Sequence, residues 1–248
     1  MVGAGRGAGL GEPLLAFAAV IALAVALLGA ARGVPFLQQG VQAAIACSFL
    51  FTPQLAARLS GRAFDPRAAG FVFAPSRGDL RALALALFAT WPVFLAGFFV
   101  YYQAACLPDH FLPSLAHRLT PICSSWRGVR AGNFRLPDHL VTLALSEVLV
   151  VAIPEEVFFR GYLFTRLEER WPSRRRFLGA KVGKALLVTS ALFALGHFLV
   201  DAAPARLAVF FPALVFGWMR SRTGSVAPGA IFHALCNLLS EALHESFF

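Results

Sequence analysis

The sequence predicts an all-α fold, a polytopic bundle of about seven membrane-crossing helices around an intramembrane cavity. Three observations predict it. Of the 248 residues, 58% are hydrophobic and only 14% charged, whereas a soluble domain carries roughly a quarter charged residues. Phe outnumbers Tyr 25 to 3, which suits lipid better than a wet surface. The apolar residues also gather in runs of bilayer length. No polar stretch between them is long enough to fold separately, so residues 1–248 read as one integral membrane domain.

The first run, Pro13–Ala31, is preceded only by Arg6 and is long enough to cross a bilayer. A signal peptide has a shorter core and a small-residue cleavage site. The segment LLGAARG imitates such a site, but the length favours an uncleaved first helix. Pro35–Ala56 follows, with a start made polar by Gln38, Gln39 and Gln42. Leu80–Ala104 is the third span, Pro137–Phe164 the fourth and Lys184–Val200 the fifth. Leu207–Arg220 is short for a crossing and reads as tilted. Val226–Phe247 is the seventh.

The net charge of +9 does not form one basic face, which argues against nucleic acid as a partner. The basic residues lie between the apolar runs, where they set topology. With the N-terminus inside, fifteen Lys and Arg residues fall on inner segments and six on outer ones, with Arg160 inside a helix. The bias predicts a cytoplasmic N-terminus. The run Arg174–Arg176 then reads as an anchor to anionic lipid at the inner surface. The four cysteines show no metal-ligand spacing. Cys47 and Cys236 lie in apolar runs and read as packing residues, while Cys106 and Cys123 share one polar connection and can pair if it faces an oxidising compartment.

Ionisable side chains are costly in hydrocarbon and normally face a bundle interior or a wet cavity. The fourth span contains Glu147, Glu155, Glu156 and Arg160, the fifth His197, and the seventh His233 with Asn237. Glu156 and Arg160 are four apart, so they share a face and can neutralise each other. Glu155 lies about 100° around the helix and is free for another partner. Pro154 removes a backbone donor just before it and can kink the helix. Phe193 and His197 are also four apart, placing a ring against the imidazole. His233 and Asn237 repeat that spacing, so two N–H donors can converge on one oxygen.

This set can support peptide hydrolysis. Glu155, helped by His197, can take a proton from water as it attacks a carbonyl carbon. His233 and Asn237 can hold the developing oxyanion, an effect worth about 3–4 kcal/mol per donor.

The strings EEVFFR at Glu155–Arg160, FALGH at Phe193–His197 and HALCN at His233–Asn237 resemble the three motifs of the CAAX prenyl endopeptidase and bacteriocin-processing family. The resemblance covers about Pro137 to the C-terminus and keeps the motif order. It implies an all-helical, glutamate-dependent intramembrane protease without a cofactor. It also implies that Glu155 and His197 activate water, that His233 and Asn237 form an oxyanion hole, and that Glu156 and Arg160 brace the site. The first three spans match no motif.

Blander readings stand beside these. Glu156–Arg160 alone is a structural ion pair, and Glu155 or His197 alone an interhelical hydrogen-bonding group. Asn237 alone is an ordinary polar contact between membrane helices. Glu147 lies outside the motifs and reads as cavity lining or packing. Glu241, His244 and Glu245 form no HExxH pattern and read as interfacial. Three rival functions use the same residues. One is a zinc protease on His197, His233 and Glu155, another a cysteine protease on Cys236, and the third a non-enzymatic scaffold or transporter. The Ala-, Arg- and Gly-rich usage looks bacterial, placing the chain in a bacterial inner membrane. The expected partner is then a membrane-anchored peptide or protein, such as a C-terminal sorting tail of the kind myxosortase-like members remove. The span limits put His197 nearer the outer end than Glu155, so a shared site needs shifted boundaries or kinked helices.

Overall fold

The structure, a computed structural model, describes residues 9–72, 75–106, 125–129 and 134–248. Among them the chain is almost entirely helical. Helix α1 (Gly11–Gly33) and helix α2 (Pro35–Leu59) form a hairpin joined at Val34. Val34 is extended, and Pro35 starts the next helix, where its missing N–H costs nothing. Helix α3 (Arg77–Cys106) begins with a reciprocal cap. The Ser76 amide donates to Asp79 Oδ2 at 2.7 Å, and the Asp79 amide to Ser76 Oγ at 3.1 Å.

Helix α4 runs through residues 140–170 and changes register along its length. Leu140–Ser146 is α-helical, Glu147–Ala152 a π-helix, Ile153–Glu156 α-helical, Val157–Leu163 a second π-helix and Phe164–Arg170 α-helical. The Ile153 amide bonds the Val148 carbonyl five residues back, and the Phe164 amide bonds that of Phe159. Pro154 lies two residues beyond the end of the first widened stretch. It has no N–H for the carbonyl four residues back, and its ring crowds that turn, so a looser turn there relieves the clash.

A short hairpin follows, β1 (Arg175–Phe177) paired antiparallel with β2 (Ala180–Val182). Helix α5 (Lys184–Asp201), a 3-10 turn (Pro204–Val209), helix α6 (Phe210–Thr223) and helix α7 (Ala227–Phe247) complete the chain. Gly224 ends α6 with φ 75°, a left-handed conformation that costs glycine no Cβ clash.

One apolar core joins the bundle. Phe158, Phe159, Leu163 and Leu167 of α4 meet Phe193 of α5, Phe216 and Met219 of α6 and Phe232 of α7, with Phe17 and Val20 of α1 and Phe49 of α2. The chain is thus an all-α membrane helix bundle. Helices α1, α2, α3 and α5 are each long and apolar enough to cross a membrane.

Several expected boundaries shift. The fourth helix starts at Leu140 and continues to Arg170. The sixth span gives up its start to the 3-10 turn, leaving 14 helical residues in α6, or about 21 Å at 1.5 Å per residue. The Arg174–Arg176 run contributes to a β-hairpin, since Gly179 at φ 83° supplies the turn. The expectation for Cys106 and Cys123 falls on residue 123, outside the described residues.

The two ends of the bundle differ. At one end Glu12 pairs with Arg62 and Arg166 and accepts from the Tyr162 hydroxyl at 3.0 Å. At the same end Arg220 donates to the Ala68 carbonyl at 2.8 Å, and Trp218 Nε1 to the Phe177 carbonyl at 3.1 Å. The basic segments that the sequence analysis grouped as inner therefore meet in space. At the other end Tyr102 and Trp126 stack with ring centroids 5.3 Å apart, beside Phe247 and Phe248. Ser246 Oγ accepts from the Arg135 amide there at 2.8 Å.

Candidate active site

The polar side chains of α4, α5 and α7 form a cluster above the phenylalanine core. Glu156 and Arg160 are fully buried, at 0% and 1% exposure, and Arg160 Nη1 lies 2.9 Å from Glu156 Oε1. Burying two charges is costly unless they are closely paired and otherwise satisfied. Arg160 has further support. Its Nη2 donates to the Ala213 carbonyl at 3.2 Å, and its guanidinium carbon sits 4.3 Å from the Phe193 ring centre and 5.0 Å from that of Phe216. Such contacts with ring faces strengthen when water is excluded. Gly229 lets Glu156 fit, since a Cβ there would meet Glu156 Oε2 at 3.0 Å.

His233 bridges the two glutamates. Its Nδ1 is 3.5 Å from Glu156 Oε1 and its Nε2 is 3.9 Å from Glu155 Oε2. Phe216 stacks on the imidazole at 4.9 Å and 19°, and Phe193 meets it edge-on at 5.8 Å. These contacts limit the ring to one plane. Glu155 keeps 16% side-chain exposure beside the fully buried Glu156, so the cluster opens on its side. Glu155 Oε2 is itself buried and makes no hydrogen bond among the described residues.

His197 is held by its own helix. Its Nδ1 lies 3.0 Å from the Phe193 carbonyl oxygen, and the two rings are 4.5 Å apart. A carbonyl only accepts, so Nδ1 carries the proton of this bond, and the neutral ring keeps a lone pair on Nε2. No hydrogen bond or ion pair joins His197 to Glu155 among the described residues.

Asn237 is anchored differently. Its Nδ2 donates to Glu147 Oε2 at 2.7 Å, tying α7 to the first π-helical stretch of α4. In a regular helix, eight residues leave Glu147 about 80° from the direction of Glu155. An i→i+5 stretch turns less per residue, which draws Glu147 back towards that face.

The structure thus gathers Glu155, Glu156, Arg160, Phe193 and His233 directly, with His197 joined through Phe193, while Asn237 is bonded instead to Glu147. Phe216, Glu147 and Gly229 are neighbours that sequence reasoning did not assign to the site. Only the spacing of Glu147, corrected for widened turns next to Pro154, carried a usable signal. No group of three His, Cys, Asp or Glu side chains is arranged to hold a metal ion among the described residues. A separate pocket of about 410 Å³ lies at the arginine-rich end, lined by Phe164, Glu168, Lys181 and Arg220 among others. It shares no residue with the cluster.

Residues 137–239 match the family model described as Rce1-like, type II CAAX prenyl endopeptidase. The matched segment begins just before α4 and ends two residues beyond Asn237, so it contains the whole cluster. No curated protein and no solved structure matches the chain.

Proposed function

We propose that this chain, whose residues 137–239 match the type II CAAX prenyl endopeptidase family model, is an intramembrane endopeptidase that uses a glutamate, with Glu155 as its general base. The observation that carries the reading is the pair formed by Glu155 Oε2, which has no hydrogen-bond partner among the described residues, and His233 Nε2 at 3.9 Å. A water bonded to both atoms at ordinary lengths subtends roughly a right angle between them. A single water can therefore bridge the two side chains, held by Glu155 for deprotonation.

Glu155 takes the proton as water attacks the carbonyl carbon, assisted by the lone pair of His197 Nε2. In its protonated form His233 presents N–H groups on both nitrogens, and it donates from Nε2 to the oxyanion while Asn237 supplies a second donor. The proton held on Glu155 then passes to the leaving amine. Glu156 and Arg160 hold His233 from behind through the 3.5 Å contact at Nδ1.

The substrate is a membrane-associated peptide or protein tail. The composition looks bacterial, which favours a C-terminal sorting tail, a short apolar helix with basic flanks, over a prenylated one. Such a helix can reach a site within the bilayer without leaving it. The end that gathers Arg62, Arg166 and Arg220 is then cytoplasmic by the positive-inside bias, as is the N-terminus.

The test is co-expression with a tagged protein ending in such a tail, or in a prenylated tail, followed by the intact mass of each. Cleavage of the sorting tail supports the full reading. Cleavage of the prenylated tail alone supports the chemistry and rejects the substrate. Unchanged mass of both, with the protein present in the membrane, favours a non-enzymatic role.

A further inference from the structure

The bond from Asn237 to Glu147 has a consequence for the chemistry, because the two ends of a carboxamide have opposite polarity. An amide that turns over presents its carbonyl oxygen where its NH₂ had been. At an oxyanion hole that reversal replaces attraction with repulsion. A carboxylate accepts and cannot donate, so Glu147 Oε2, 2.7 Å from Asn237 Nδ2, admits one orientation of the amide. One Nδ2 proton is used in that contact, and the other remains available.

We propose that Glu147 is a positioning residue, fixing the Asn237 carboxamide so that its second Nδ2 proton faces the developing oxyanion. The inference rests on the reading of Asn237 as an oxyanion donor. Two further observations support it. Glu147 is the first residue of a π-helical stretch, a rare register that is frequent at functional sites. Its carboxylate is also a half-buried acid on a membrane helix, where an acidic group without a task is disfavoured. The bond ties the stretch before Glu155 to the helix that carries His233, so both donors and the base are set by the same pair of elements.

The chain contains two asparagines, Asn133 and Asn237. Protein labelled with ¹⁵N on asparagine alone therefore shows two side-chain NH₂ pairs, and the pair lost in Asn237→Ala belongs to Asn237. One proton of that pair is expected well downfield in the wild type, as suits a bond to a carboxylate. Glu147→Gln, which keeps the size, should move it back upfield, towards the ordinary range of side-chain amide protons. An unchanged pair in Glu147→Gln overturns the proposal without any substrate.

The kinetic arm uses a quenched-fluorescence peptide covering the cut site of the tail. Glu147→Ala is expected to lower kcat by up to about a hundredfold, the size of losing one oxyanion donor, with KM within about twofold. In the Asn237→Ala background the same change should add nothing. Losses that multiply, or a change in KM alone, show a packing role and overturn the proposal. Glu155→Gln separates the two levels. If it is inactive while the Glu147 and Asn237 losses multiply, only the role of Glu147 falls. If it cleaves like the wild type, the site reading falls and takes this inference with it.

Discussion

Arg160 lies with its guanidinium 4.3 Å from the centre of the Phe193 ring, so one phenylalanine touches both the buried cation and His197. The ion pair beneath the site and the histidine at its rim therefore share a wall. Changes at the base of the cluster should reach the chemistry through this contact and through His233.

Arg160→Met leaves Glu156 buried without its partner. Breaking a buried pair from one side costs about 3–5 kcal/mol, so the variant should show a clearly lower unfolding midpoint in detergent. Changing both residues together, Glu156→Gln with Arg160→Gln, should recover much of that stability. It should not recover cleavage, because His233 loses the carboxylate at its Nδ1. Thermal unfolding and cleavage measured on the same samples check both halves.

Gly229→Ala is the smallest change predicted to disturb the site. The added methyl would meet Glu156 Oε2 at 3.0 Å, and overpacking of this kind costs about 1–3 kcal/mol. Glu156 is pinned by Arg160, so the strain should pass to His233 and lower kcat more than it raises KM. A variant with wild-type kcat would show that the wall yields elsewhere.

His197→Phe removes the Nε2 lone pair and keeps a ring against Phe193. A general acid–base group contributes roughly 10²–10⁴-fold, and a loss in that range is expected in kcat with little change in KM. Normal activity would return His197 to a structural role as a hydrogen-bonding residue of α5.

Strong chelators should leave cleavage unchanged, since the proposed chemistry uses a carboxylate and histidines alone. Activity lost on chelation and restored by zinc would revive the zinc reading of His197, His233 and Glu155. Activity retained by Cys236→Ser would remove the cysteine reading in the same assay.

The fold class and much of the site geometry could be read directly from spacing. Glu156 and Arg160 are four apart and do pair, and Phe193 and His197 are four apart and do meet. These features depend on local helical geometry, which residue spacing encodes. The bond from Asn237 to Glu147 crosses 90 residues and depends on a π-helical register. Residue types do not specify that register, so Glu147 reads from sequence only as cavity lining or packing. Phe216 was hidden for a different reason. In an apolar run every phenylalanine looks like core, and only the packing of α6 on α7 makes this one the ring stacked on His233. The charges of the Arg174–Arg176 run are legible in the sequence, whereas the pairing of Arg175–Phe177 with Ala180–Val182 is not.

The most direct test of the central claim is the intact mass of a tagged tail protein co-expressed with wild type or with Glu155→Gln, with membrane accumulation of both measured alongside. Gln keeps the shape of the side chain and removes the base. A shortened tail is expected with wild type and a full-length tail with an equally abundant Glu155→Gln variant. Equal cleavage by both would contradict the claim.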